Sequence, residues 1–348
     1  MTVHAIEGER TETREPKAPS HVWLDEITLD PRNEWLIKGM LPRCGMACGW
    51  GAESTGKTFI AVDIGVSVAA GRSWRGRRVE RGGVVFVAVE DSGGVRKRLL
   101  AYCAHHGVER EALPFVLYED PIDLQSDGDT TAFIAWLSTL PGRMGYPVRM
   151  VTIDTLTKAM PGGNENGPDD MGRVVRNLDR IRRSIDGLVF LVHHAGKDTD
   201  RGMRGHSSLP FGLETHFHVI GQENPRTVTF GKVKNGELPP PFHFDLERVE
   251  LGHDEDGEPI TSCAVAHRAQ AASPATRVTM TDSQEAFYLV LLEAGSAGLT
   301  VGEWNSRARE QGLGMTRPAN FIRWRAALTA KGVVRQYGER FFVNHNGG

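Results

Sequence analysis

Residues 45–64 read GMACGWGAESTGKTFIAVDI: a short apolar run, a glycine-rich octapeptide and the opening of an apolar helix. Gly51–Thr58 fits the pattern G-x-x-x-x-G-K-[ST]. The run Gly45–Gly49 supplies a strand before the loop, and Phe59, Ile60, Val62, Ile64, Val66 and Val68 lie in the helix after it. Glycines let such a loop curl until its N–H groups face phosphate oxygens, and the helix N-terminus adds partial positive charge. Lys57 then neutralises β- and γ-phosphates, and the Thr58 hydroxyl is a ligand for Mg²⁺. Gly51, Ala52, Glu53, Ser54, Thr55, Gly56, Lys57 and Thr58 form the candidate ATP-binding set. The plainer alternative is a glycine turn with a solvated lysine.

A phosphate loop needs a carboxylate at the end of a second apolar strand to hold the metal through water. Val148–Asp154, VRMVTID, has that form, so Asp154 joins Thr58 as a candidate metal residue; the alternative is an N-cap for a following helix. The run VVFVAVED ends another buried strand in Glu90 and Asp91. A carboxylate beside the γ-phosphate can orient and deprotonate water, which makes Glu90 the candidate general base, with Asp91 as a neighbour or helix cap. GLVFLVHH ends a third strand in His193 and His194. Adjacent strand residues point to opposite faces and no third metal ligand is evident, so His194 reads as a γ-phosphate sensor rather than a metal ligand.

Around these motifs a strand-then-helix rhythm runs to about residue 195. It predicts an α/β fold with a mainly parallel, helix-covered sheet. The clearest helix spans residues 170–185, with Met171, Val174, Leu178 and Ile181 on one face and Arg173, Arg176, Arg180 and Arg183 on the other. Past residue 210, Thr215–Gly221, Thr227–Val233 and Phe242–Leu251 read as antiparallel strands added to the same sheet. Residues 1–21 carry too little apolar content to pack and are expected to form a flexible tail. Residues 22–267 form the main domain and residues 268–281 a linker, and residues 282–348 predict three helices and a hairpin in winged-helix order. In its third helix Phe321, Ile322, Trp324 and Leu328 are expected inward, with Arg323 and Arg325 outward as candidate DNA contacts.

With 348 residues the chain suits about two domains of roughly 150 residues. At 40% apolar and 24% charged it has no run near the ~18 apolar residues a membrane span needs, and residues 1–20 hold no apolar signal core. A soluble, cytoplasmic protein is expected. The four cysteines, Cys44, Cys48, Cys103 and Cys263, lack zinc-site spacing and read as reduced thiols. Net charge is −3, but residues 275–348 hold nine basic against six acidic side chains. The basic excess therefore sits at the C-terminal end.

Together, WLIKGMLPR before the first motif strand, GAESTGKT, Glu90-Asp91, IDTLTKAMPGGNEN, LVHHAGKD and RGMRGHSS make residues 22–250 similar to the RecA-like, RepA-type hexameric helicases and ATPases of plasmids and phages. More distantly the segment resembles DnaB-type replicative helicases. The resemblance implies a homo-oligomeric ring, a hexamer in that family, with ATP and Mg²⁺ bound between neighbours. It implies that Glu90 is the catalytic glutamate, Asp154 the metal aspartate and His194 the sensor. Lys232 and Lys234, in KVKNG, match the segment that enters the neighbouring subunit's site, although many relatives use arginine there. Arg201 and Arg204 are competing candidates for that role, or DNA contacts. Residues 157–167 and 196–208 are similar to the loops that track single-stranded DNA, where Lys158, Lys197, Arg201 and Arg204 offer phosphate contacts.

The resulting expectation is a Mg²⁺-dependent ATPase that moves on single-stranded DNA as a helicase in mobile-element or phage replication. Priming is expected from another chain, with an initiator or primase as a further partner. The rival is an ATP-gated, winged-helix factor that binds DNA and loads others without translocating. A small-molecule kinase would use the same loop but has no need of a winged helix.

Overall fold

The computed structural model describes residues 22–27, 34–111, 113–196, 203–268, 280–295, 298–313, 319–331 and 333–343. The tail expected at 1–21 and nearly all of the linker expected at 268–281 lie outside the described residues. A small antiparallel pair, β1 (Trp35–Ile37) and β2 (Leu41–Pro42), leads into β3 (Gly45–Gly51), α1 (Lys57–Ala70), β4 (Gly83–Ala88) and α2 (Ser92–His106). Then come β5 (Phe115–Tyr118), α3 (Asp127–Leu137), α4 (Leu140–Met144), β6 (Val148–Asp154), α5 (Pro168–Ile185) and β7 (Leu188–His194). After α6 (Ser208–Gly212) the chain adds β8 (Thr215–Ile220), β9 (Arg226–Val233), β10 (Phe242–His253) and β11 (Pro259–His267).

Nine of these strands form one sheet in the order β11-β10-β9-β8-β3-β7-β6-β4-β5. From β5 to β8 neighbours run parallel, and β9, β10 and β11 extend the sheet antiparallel. The central parallel strands β3, β4 and β7 are apolar until their last residues because both their faces are covered. In β4, Val84, Phe86 and Ala88 enter a core shared with α1 and α2, while Val85 and Val87 enter a second core with Phe133 of α3 and Leu178 of α5. The apolar residues of α1 run all round the helix because the sheet covers one side and α2 and β11 the other.

Two expectations need correction here. Thr215–Gly221 is read from sequence as an antiparallel strand, yet β8 lies parallel to β3, with Ala47 opposite Thr215 and Trp50 opposite His218. The segment after β7, which includes α6, is long enough to return the chain for a parallel pairing. Alternating polarity marks a half-buried strand but carries no information on the direction of its partner. Direction first reverses at β9.

Residues 280–343 hold α7 (Asp282–Glu293), β12 (Leu299–Thr300), α8 (Val301–Glu310), α9 (Ala319–Ala330), β13 (Val334–Tyr337) and β14 (Arg340–Val343). Their separate core contains Phe287, Leu291, Trp304, Phe321, Leu328 and Phe341. Capping boxes of Thr281 with Gln284 and Thr300 with Glu303 start α7 and α8. The second correction concerns α9. Ile322, expected inward, is 69% exposed, and Arg325, expected outward, is half-buried over the rings of Trp304 and Phe341 and donates from Nη2 to Asn305 Oδ1 at 2.6 Å. The physical reason is spacing: residue 325 follows Phe321 by four and precedes Leu328 by three, so it lies on the apolar stripe.

β11, which no sequence motif marked, is tied to α1 through the buried Asp63. Its Oδ2 accepts from Trp74 Nε1 at 2.7 Å and lies 2.8 Å from His267 Nε2. Asp63→Ala leaves the Trp74 donor buried and unpaired, and is expected to cost about 1–3 kcal/mol in urea unfolding. Asp63→Asn, which keeps an acceptor, should recover part of that loss.

Candidate functional site

The parallel register ends four strands at one level. Gly51 stands opposite His194, Val192 opposite Asp154, and Asp154 opposite Ala88, two residues before Glu90. The polar residues that follow each apolar run therefore meet in a cleft of about 390 Å³. Its walls include Glu53, Ser54, Gly56, Lys57, Thr58, Glu90, Asp91, Asp154 and His194. Gly51, Ala52 and Thr55 complete the loop beneath. A Cβ at Gly51 would sit 2.3 Å from Val219 O, and Gly56 holds φ +96°, so both positions require glycine. Thr55 Oγ1 and Lys57 Nζ both donate to Ala52 O, at 3.0 and 2.5 Å. No side chain caps α1 at Gly56, which leaves its first N–H groups to serve an anion in the cleft.

Burial sets the electrostatics. Lys57 is 8% exposed and its pKa is lowered by desolvation, against the pull of Asp154, Glu53 and Glu90. The Asp154 carboxyl is pushed up to about 6 by burial, opposed by a hydrogen bond with Thr58 and by the charges of Arg98 and Lys57. His194 is held below the usual imidazole range by burial and by Lys57, so it is neutral at neutral pH. Its Nε2 lies 4.0 Å from Glu90 Oε2. His193, on the opposite face, is fully buried and bonded through Nε2 to Arg204 O at 2.7 Å. Asp91 caps α2 by accepting from Gly94 N at 2.8 Å and pairs with Arg98 at 3.3 Å. A hydroxyl on Thr58, a nearly buried carboxylate on Asp154 and phosphate oxygens are the hard oxygen donors Mg²⁺ prefers, so these residues fit that ion.

Other candidates sit elsewhere. Lys232 pairs across from His216, and its Nζ is 3.5 Å from Pro210 O. Lys234 follows β9, donating its N–H to Glu214 O. Both therefore lie toward the end of β9 away from the cleft, where the strand instead presents Arg226. Lys158 is exposed on the turn after β6. Arg204 is ion-paired with Glu165 at 3.0 Å, while Lys197 and Arg201 lie outside the described residues. Arg323 is exposed. The sequence reading missed Arg98, Arg226, Phe59 and Leu246 as cleft residues. Arg98 lies in α2, and Arg226 follows an Asn-Pro turn, so no motif spacing points to either.

Loop, strand order and strand-end acids define a P-loop nucleotide-binding protein. Residues 11–200 match the AAA domain family, and the chain belongs to that family. Among solved structures it is similar to an ATPase domain at 13% identity (58% of this chain, 81% of that chain, TM-score 0.45). It is also similar to a KaiC-like protein from Pyrococcus horikoshii OT3 at 14% (65% and 93%, TM-score 0.43) and to the RadB recombinase at 16% (58% and 87%, TM-score 0.42). No curated protein matches the sequence. Among the described residues no helix is long and apolar enough to cross a membrane.

A pH test follows from Asp154. Its folded pKa of about 6 lies above the ordinary 3.8, so the metal-free fold binds that proton more tightly than the unfolded chain does. The contribution is fully present below about pH 4 and is lost as pH rises through 6, a difference of about 3 kcal/mol by pH 8. Metal-free Asp154→Asn should therefore be more stable than the parent at pH 8 in urea titrations with chelator, with the gap narrowing toward pH 4. Parallel pH profiles for the two proteins would contradict this electrostatic account.

Proposed function

We propose that this chain is an ATP hydrolase of the RecA-like, RepA-type kind that couples turnover to movement on single-stranded DNA as an oligomeric ring. The observation that carries this reading is the convergence of Lys57, Thr58, Glu90, Asp154 and His194 in one cleft, with Lys232 and Lys234 directed elsewhere. Lys57 and the N–H groups opening α1 hold the phosphates, and Glu90 takes the proton from the attacking water. His194, neutral and 4.0 Å from Glu90, senses the γ-phosphate by hydrogen bonding. Thr58 and, through water, Asp154 would hold Mg²⁺, which when bound neutralises charge on the β- and γ-phosphates. Lys232 and Lys234 serve the cleft of the adjacent copy. Lys158 and Arg204 contact the strand, together with Lys197 and Arg201. Residues 282–348 act as a winged-helix unit, and an initiator or primase completes the assembly on a mobile or phage-type replicon.

One observation favours the rival, a non-translocating loading factor. Arg325 is packed on aromatic rings and Arg340 pairs with Glu303 at 3.2 Å, while Ile322 and Leu289 are 69% and 46% exposed. Arginines already held within the unit, beside apolar side chains left exposed, suit protein docking better than phosphate binding. Strand displacement from a forked DNA separates the two. The motor reading expects unwinding with ATP and none with a non-hydrolysable analogue; DNA binding without displacement under either nucleotide supports the loader.

Lys57→Ala is expected to abolish hydrolysis, whereas Glu90→Gln should keep nucleotide affinity within about threefold and reduce turnover by 10²–10⁴-fold. A Glu90→Gln rate above a tenth of the parent removes Glu90 as the base. Mixing inactive Lys234→Ala with inactive Lys57→Ala should restore some ATPase activity if the lysine acts across a subunit boundary. No recovery in verified mixed assemblies argues against that role.

A further inference from the structure

The turn after β6 and the return segment after β7 meet at one ion pair. Arg204 Nε lies 3.0 Å from Glu165 Oε2, with Glu165 only 6% exposed and the Arg204 side chain 52% exposed. Neither Glu165 carboxylate oxygen has a hydrogen-bond partner among the described residues, and among them the Arg204 guanidinium is the ion-pair partner of this nearly buried charge. The backbone at Arg204 is in turn fixed to the cleft strand. Its N–H donates to His194 O at 3.2 Å, and its carbonyl is bonded to His193 Nε2 at 2.7 Å. Beside the pair, His206 N donates to Glu165 O at 2.8 Å, so both segments are stitched together around it.

We propose that Glu165 is a positioning residue that occupies Arg204 as an internal substitute for a nucleic-acid phosphate, so that strand binding and the placement of His194 are set by the same ion pair. The proposal rests on the single-stranded DNA reading above. A phosphate that captures Arg204 takes from the buried Glu165 the counter-charge it has among the described residues, which is costly. The carboxylate therefore opposes binding in the resting state. When the pair opens, the restraint that Arg204 places on His194 changes with it. A bare structural brace would show neither property, because removing it would weaken binding rather than strengthen it.

The test compares the full chain with Glu165→Gln, whose neutral amide needs no counter-charge. The readouts are binding of a labelled oligothymidine across a salt series, and ATP turnover with and without it. The expected result is three- to tenfold tighter binding at low salt, faster turnover without DNA, and a ratio of DNA-stimulated to basal turnover that falls toward one. Adding Arg204→Gln to that variant should erase the gain in affinity. Glu165→Asp, which shortens the pair by one methylene, should give a smaller gain and stands in if the glutamine variant does not fold. If the parent binds oligothymidine and both Glu165 variants bind it equally or more weakly, the proposal is overturned while the DNA reading stands. If the parent binds ATP but no oligothymidine at any salt concentration, the DNA reading falls and takes the proposal with it.

Discussion

The constraint on which the rest of the structure depends is the parallel register of β4, β6, β7 and β3, which ends all four strands at one level. Strands covered on both faces have little room along their length for a charged side chain, and Arg149 in β6 sits next to the strand's start, paired with Glu80 and Asp186. Polar chemistry is therefore confined to the ends, and because the ends are level the groups converge. Lys57, Glu90, Asp154 and His194 each lie at or within a few residues of the end of such a run. The same covering that builds the sheet also places Lys57 and Asp154 in a low-dielectric setting. That is why one loses proton affinity and the other gains it. A bound polyanion with its cation would offset both burdens at once, so the site is built around charges that its own fold leaves poorly solvated.

Much of this was legible because strand-end chemistry leaves a mark in sequence. An apolar run broken by one acid or histidine shows both the strand and the functional residue, as VRMVTID and GLVFLVHH do. What failed to show depends on contacts between distant segments. The direction of β8 is fixed by the return path through α6. The Asp63 anchor needs Trp74 and His267, the latter more than 200 residues away, to be seen together. Arg98 and Arg226 enter the cleft from α2 and from the start of β9, where nothing local separates them from surface arginines. Arg325 and Ile322 were exchanged for a different reason. Helical spacing outweighs the polarity of a single residue there, since 321, 325 and 328 share a face whatever charge residue 325 carries.

The antiparallel extension belongs to the site as much as the parallel core does. Arg226, at the start of β9, lies against Gly56: a Cβ on that glycine would come within 3.2 Å of Arg226 Cδ. Its Nη2 donates to Gln222 O, and Gln222 Nε2 donates to Glu53 O, so the β8–β9 turn braces the phosphate loop from outside. The other end of the same strand carries Lys232 and, just beyond it, Lys234. Six residue steps along the strand, roughly 20 Å, separate Arg226 from Lys232. The bulge at Gly231 lies between these two ends, so the cleft-facing start of β9 and its lysine-bearing end are separate in register as well as in distance.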